Sequence, residues 1–239
     1  RSGWEQINGT WYYFDGAGWM ETGWVNVGGT WYYLTGSGAM AEGWASVGGT
    51  WYYLQPGSGA MAEGWVSVGG TWYYLQPGNG AMHTGWVKDG TTWYYMNSSG
   101  AMLTGWQLIN GSWYYFDGSG WMVTGWLKRA SGWYYLEPGN GNMVTGWRKI
   151  GGTWYYLNPG NGDMATGWTT IGGTRYYMNQ DGAMVEGWSQ QNGTWYYLKP
   201  GSGNIATGWL KLDATWYYLA SDGKMLTGFQ NIGGSKYYL

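Results

Sequence analysis

Residues 3–14 read Gly3-Trp4-Glu5-Gln6-Ile7-Asn8-Gly9-Thr10-Trp11-Tyr12-Tyr13-Phe14, two five-residue runs joined by Asn-Gly. An Asn-Gly pair supplies the two positive φ values that a two-residue hairpin turn requires, so the stretch reads as an antiparallel hairpin. With the turn at Asn8-Gly9, Ile7 pairs with Thr10, Gln6 with Trp11, Glu5 with Tyr12 and Trp4 with Tyr13. Strand side chains alternate sides with period two. Trp4, Trp11 and Tyr13 therefore share one face, and Ile7, Tyr12 and Phe14 the other. The next stretch divides in the same way, with Trp24, Trp31 and Tyr33 against Val27, Tyr32 and Leu34.

Working outward, the hairpin recurs along the whole chain. Gly-Trp returns with its Trp at 4, 24, 44, 65, 86, 106, 126, 147, 168, 188 and 209, and a twelfth start carries Phe229. The intervals are 20 or 21 residues, and the five longer ones hold the chain's five prolines, Pro56, Pro77, Pro138, Pro159 and Pro200, each followed by Gly. The extra residue is thus a loop insertion. Two distances stay fixed: seven positions from the first Trp to the Trp-Tyr-Tyr triplet, and four from the connector Met to the next Gly-Trp. A repeat of this length marks a solenoid or array. An isolated hairpin is at best marginally stable in water, so the hairpins are expected to stack, with residues 1–239 forming a single array of about twelve repeats and the last a partial cap.

Three turns break the pattern. Lys88-Asp89-Gly90 places its Gly early, and Arg129-Ala130-Ser131-Gly132 and Leu212-Asp213-Ala214 lack the usual pair. Because the seven-residue spacing survives, altered turns within an unchanged hairpin are expected.

Composition excludes an ordinary globular domain. Gly 48, Trp 23 and Tyr 24 of 239 residues leave little room for an aliphatic core, against about 7% Gly in typical chains. The 21% aromatic fraction argues against disorder. Net charge is −2 with no basic cluster, so nucleic acid is a poor partner. Cys is absent, which removes disulfides and thiolate metal sites. No apolar run predicts membrane insertion, and no signal-peptide pattern begins at Arg1. The sequence opens directly on a repeat, which suggests a fragment or mature segment of something longer.

Catalysis has no evident inventory. The single His83 occupies a connector position and reads as a solvated loop residue; Glu21, Glu42, Glu63 and Glu186 do not recur as pairs that could serve as acid and base. No catalytic residue, metal ligand or cofactor is expected. The paired indoles point elsewhere. Aliphatic side chains would fill a core at least as well, so two Trp at fixed separation in ten of twelve repeats suggest that the rings themselves are used, whereas the Tyr12/Phe14 face reads as structural. A quaternary ammonium has no N–H to donate and is held instead by several aromatic faces, at about 0.5–2 kcal/mol per contact, choline being the standard example. The connector Met, replaced once by Ile205, could close such a pocket.

The pattern G-W-x(6)-W-Y-Y-x-(loop)-G-x-M-x-x-G-W resembles, repeat by repeat from Gly3-Trp4 to Tyr237-Tyr238, the choline-binding repeats of cell-wall proteins from pneumococci, related bacteria and their phages. The resemblance implies an all-β, left-handed β-solenoid of stacked β-hairpins joined by Gly-rich loops, with each choline between two Trp of one repeat and a Tyr of the next. Carried onto this sequence, the cages are Trp4, Trp11 and Tyr33; Trp24, Trp31 and Tyr53; Trp44, Trp51 and Tyr74; Trp65, Trp72 and Tyr95; Trp86, Trp93 and Tyr115; Trp106, Trp113 and Tyr135; Trp126, Trp133 and Tyr156; Trp147, Trp154 and Tyr177; Trp188, Trp195 and Tyr218; and Trp209, Trp216 and Tyr238. The second Tyr of each triplet is chosen because it lies on the Trp face; the first, such as Tyr32, is the fallback. Arg175 stands where an indole is expected, and the Trp168 site is expected to be empty of ligand.

The implied function is non-catalytic: attachment of a surface protein or lytic enzyme to choline or phosphocholine on teichoic or lipoteichoic acid, at the extracellular cell wall, by many weak cages. A homodimer is compatible with this reading. The rival is a glucan- or glycan-binding array of a secreted protein, since Trp also stacks on sugars and sister repeats in glucan-binding proteins and clostridial toxins use related patterns. The residues around the Trp pairs, mainly Gly, Ala, Val and Thr, offer a sugar few hydrogen bonds.

Overall fold

The computed structural model describes all of residues 1–239. It is all-β, with twelve two-stranded antiparallel sheets, each a hairpin. In the first, β1 (Gly3–Ile7) pairs with β2 (Thr10–Phe14) in the register Ile7↔Thr10, Gln6↔Trp11, Glu5↔Tyr12 and Trp4↔Tyr13. The turn uses positive φ at both central residues, 51° at Asn8 and 82° at Gly9, as the right-handed strand twist favours.

The three irregular turns keep their register, Asp89↔Thr92, Arg129↔Gly132 and Leu212↔Thr215. What changes is the backbone: Gly90 at φ 59° and Asp213 at φ 51° supply one left-handed residue each, and Gly132 moves to φ 142° beyond the Ala130-Ser131 turn. The fixed spacing holds the strands while the turn adapts.

Two-stranded sheets leave strand edges that need partners. Here the connectors supply them. The Glu21 N–H donates to the Tyr13 carbonyl within the same repeat, and the Met40 N–H of the next repeat donates to the Trp11 carbonyl, both at 2.8 Å. The same two bonds recur as Ala41 to Tyr33 and Met61 to Trp31, and again as Ala165 to Tyr156 and Met184 to Trp154. Consecutive repeats are therefore joined through backbone as well as side chains. The proline insertion is absorbed inside the connector: Thr35 N–H bonds to Ala39 in the short loop and Gln55 N–H to Ala60 in the long one, so the following Met keeps its place.

In each unit the core is a column built from the residue that follows Trp-Tyr-Tyr. Leu34, Leu54, Leu75, Met96, Phe116, Leu136, Leu157, Met178, Leu198 and Leu219 are fully buried, each worth about 1.5–3 kcal/mol. A second column stacks connectors on one another. A Cβ at Gly38 would fall 2.7 Å from Met20 Cε, and at Gly80 2.7 Å from Met61 Cγ. Within each unit these connector Met residues are thus capped by the bare Gly of the next loop.

The chain forms two compact units, one of residues 1–109 and 115–122, the other of 110–114 and 123–239. Each is by itself a solenoid-like stack of hairpins. No helix is long and apolar enough to cross a membrane.

Candidate ligand-binding site

Inside each unit, the gap between one hairpin and the next is walled by aromatic rings. In hairpin ten Trp188 and Trp195 stand at 90° with centroids 6.2 Å apart, forming a corner. Tyr217 of the following hairpin lies 4.8 Å from Trp188, and Met225 of the following connector completes an open cleft of about 290 Å³. The cleft at Trp126 repeats the plan, lined by Trp133, Tyr155 and Met164, with Gln180 and Asp181 at the rim. Its indoles cross at 88° and 6.3 Å.

The tyrosine that closes these clefts is the first of each Trp-Tyr-Tyr. Trp4 meets Tyr32 at 4.8 Å, Trp24 meets Tyr52 at 4.7 Å, Trp44 meets Tyr73 at 4.7 Å and Trp65 meets Tyr94 at 4.6 Å. Trp147 meets Tyr176 at 4.9 Å in the same way. The second tyrosines named from the sequence lie instead on the first aromatic of their own hairpin. Tyr33 sits on Trp24, Tyr53 on Trp44, Tyr74 on Trp65, Tyr95 on Trp86 and Tyr115 on Trp106. Tyr135 sits on Trp126, Tyr156 on Trp147, Tyr177 on Trp168, Tyr218 on Trp209 and Tyr238 on Phe229. At the last junction both tyrosines, Tyr237 and Tyr238, line the cleft with Trp209 and Trp216.

The reason is symmetry. A repeated stack joins unlike surfaces, front to back. The Trp-bearing front of hairpin one meets the back of hairpin two, where Tyr32 lies, while the front carrying Trp24 and Tyr33 looks toward hairpin three. The Tyr12-type face of one hairpin therefore meets the Trp of the hairpin before it.

The outer indole of each pair remains partly open, from 37% exposure at Trp11 to 56% at Trp216. These exposed rings make the open side of the clefts a candidate interaction surface. The Trp65 indole N–H donates to Asp89 at 2.9 Å. Burial, with the charges of Asp89 and Asp117, holds the Tyr94 phenol above its usual range despite a hydrogen bond to Trp121.

Junction nine is built differently. The Arg175 guanidinium lies 4.3 Å from the Trp168 ring and donates to the Asp222 carbonyl at 3.0 Å. The Ile205 N–H bonds to the Arg175 carbonyl at 3.0 Å, so the one Ile among the connector Met residues falls at the junction with the one Arg. Facing them, Tyr196 is buried.

His83 is half-buried rather than solvated. Its ring nitrogens meet the Gln76 side chain at 3.1 Å and the Trp86 carbonyl at 3.0 Å. Together with its edge contact to Tyr74, this makes it a strut between connector and hairpin. No group of three or more His, Cys, Asp or Glu side chains converges as a metal site would require.

Comparison with known proteins places the chain in a family. Residues 2–42, 21–63, 62–104, 103–146, 139–166 and 165–207 match the choline-binding repeat, and residues 207–225 and 227–239 match the putative cell wall binding repeat. No curated protein matches the chain. Among solved structures, CbpJ from Streptococcus pneumoniae TIGR4 is 34% identical, with 97% of each chain covered and a TM-score of 0.75. Choline binding protein F from Streptococcus pneumoniae is 30% identical over 97% of this chain and 95% of its own, with a TM-score of 0.70. The modular autolysin LytC from Streptococcus pneumoniae, solved with a synthetic peptidoglycan ligand, is 27% identical; 91% of this chain aligns with 51% of that one at a TM-score of 0.63. With its hairpins, aromatic clefts and repeats matched along its length, the chain belongs to the family of choline-binding, cell wall binding repeat proteins.

Proposed function

We propose that the chain is a non-catalytic attachment module that binds choline or phosphocholine on teichoic or lipoteichoic acid and so holds its parent protein at the bacterial cell wall. The observation that carries this reading is the open corner of two crossed indoles, closed by a tyrosine and a methionine of the next repeat, as at Trp188, Trp195, Tyr217 and Met225. A trimethylammonium group fits such a corner because it needs π faces and offers nothing to a hydrogen-bond acceptor. The cages then consist of two Trp and the first Tyr of the next triplet, beginning with Trp4, Trp11 and Tyr32.

The repeats act as one array. A single cage is weak, but sites linked on one chain and engaging a polymer that repeats its ligand gain roughly 10²–10⁴ in avidity. Chemistry, where the parent protein performs any, belongs to another domain. A homodimer of two copies is compatible with this reading.

The test is a choline titration followed by Trp fluorescence, together with retention on isolated choline-bearing walls. Saturable change with choline and release of wall-bound protein by free choline are expected. A response to glucan oligosaccharides alone would move the function to glycan binding.

A further inference from the structure

Four cage-bearing hairpins carry a lysine where the others do not. The residue paired across the strands with the outer Trp is Gln6, Asn26, Ser46, Ser67 or Gln190 in five hairpins, but Lys88, Lys128, Lys149 and Lys211 in four others. Strand alternation places this residue on the face of the two indoles. Its Nζ lies over the outer indole, 5.6 Å from Trp93 for Lys88, 5.6 Å from Trp133 for Lys128, 5.8 Å from Trp154 for Lys149 and 5.7 Å from Trp216 for Lys211.

A fixed cation beside a cation-binding cage is unfavourable if the ligand is only a cation. It becomes favourable if the ligand carries an anion just beyond its ammonium group. In phosphocholine the phosphate stands two methylenes and one oxygen from the nitrogen. With the trimethylammonium group in the corner, the rest of the ligand leaves through the open side, where the outer indole and its lysine lie.

Resting on the cage reading above, we propose that Lys88, Lys128, Lys149 and Lys211 form a phosphate subsite. Their cages prefer the zwitterionic phosphocholine ester, while those faced by Gln, Asn or Ser accept choline with or without its phosphate. The lysine donates N–H bonds to the phosphate oxygens, and its charge compensates an anion that the indoles and Tyr do not favour. The array thereby holds two classes of site. Because the lysine heads are solvated, the preference is small per site and screened by salt.

The test uses the full chain and a Lys88→Gln, Lys128→Gln, Lys149→Gln, Lys211→Gln variant, with Lys→Arg at the same positions as a control. Each is titrated with choline chloride and separately with phosphocholine, by calorimetry and Trp fluorescence, at low and high salt. In the variant, phosphocholine affinity at the affected sites is expected to fall about two- to five-fold, the range for an exposed ion pair, while choline affinity is unchanged or rises. The Arg control keeps the wild-type ratio, and high salt narrows the difference between wild type and the Gln variant. An unchanged ratio of the two affinities in the Gln variant overturns the subsite and leaves the cages standing. A wild-type chain that answers neither ligand overturns the cages as well.

Discussion

Trp4 stands between two tyrosines, Tyr13 of its own hairpin at 5.1 Å and Tyr32 of the next at 4.8 Å, each nearly edge-on to the indole. The two contacts divide the labour: the first stiffens a hairpin, the second makes a wall of the cleft. Substituting the two kinds of tyrosine should therefore give different phenotypes. Tyr52→Ala removes the wall facing Trp24 and is expected to weaken one choline site by about 2- to 30-fold, the equivalent of one cation–π contact. Tyr53→Ala, which strips the support from Trp44, should lower the thermal midpoint more than it changes the affinity of the Trp24 site. Calorimetric stoichiometry and melting of the two variants separate these outcomes; equal site loss in both would remove the distinction.

Much of this was legible in the sequence, and one part was not for an identifiable reason. Asn8-Gly9 fixes the turn, and period-two alternation from that turn fixes which side chains share a face within a hairpin. Alternation is silent on how one hairpin meets the next, so it selects Tyr33, which shares the Trp24 face, when the contact to Trp4 comes from Tyr32 on the opposite face. The missing step was the front-to-back rule for a repeated stack, which needs no coordinates. His83 was hidden differently: both its partners, Gln76 and the Trp86 carbonyl, are brought to it by the connector's path, which no spacing in the sequence specifies.

The connector column makes its own prediction. At Gly80 the backbone is left-handed at φ +68°, and an added methyl would meet Met61 Cγ and Cε at 2.7 and 2.8 Å. Gly80→Ala therefore combines about 1–2 kcal/mol for the left-handed backbone with about 1–3 kcal/mol for overpacking. Pairing it with Met61→Ala should recover the second component but not the first. A double-mutant cycle on denaturant midpoints should accordingly show coupling well above the 0.3–0.5 kcal/mol scatter of independent sites. Additivity within that scatter would mean that Met61 simply swings away.

Avidity sets the scale of damage that wall binding tolerates. Trp65→Ala with Trp72→Ala deletes one cage, and choline stoichiometry should drop by one. Retention on choline-bearing walls should weaken by less than about 10-fold, because the remaining linked sites still engage the polymer. Removing three cages one after another, at Trp24, Trp65 and Trp188, should lower the choline concentration needed for elution in steps. Complete loss of attachment on deleting one cage would show that a single site, not the array, governs binding.

Junction nine carries the sharpest prediction because two departures coincide there. Arg175 lies on Trp168 at 4.3 Å and is tied to the Asp222 carbonyl, and Ile205 replaces the usual Met beside it. A guanidinium over an indole makes the contact proposed above for choline, so at this junction the protein's own cation occupies the Trp168 face. Two substitutions probe it from opposite directions. Arg175→Ala takes away the internal cation and the tie to Asp222, and should lower the melting temperature of ligand-free protein without adding a strong site, since the second indole is still missing. Arg175→Trp restores that indole and should raise choline stoichiometry by one, with stability at this joint now dependent on ligand. If Arg175→Trp left the stoichiometry unchanged while the protein stayed folded, the two-indole corner would not be sufficient for a site, and Met in place of Ile205 would be the next requirement to restore.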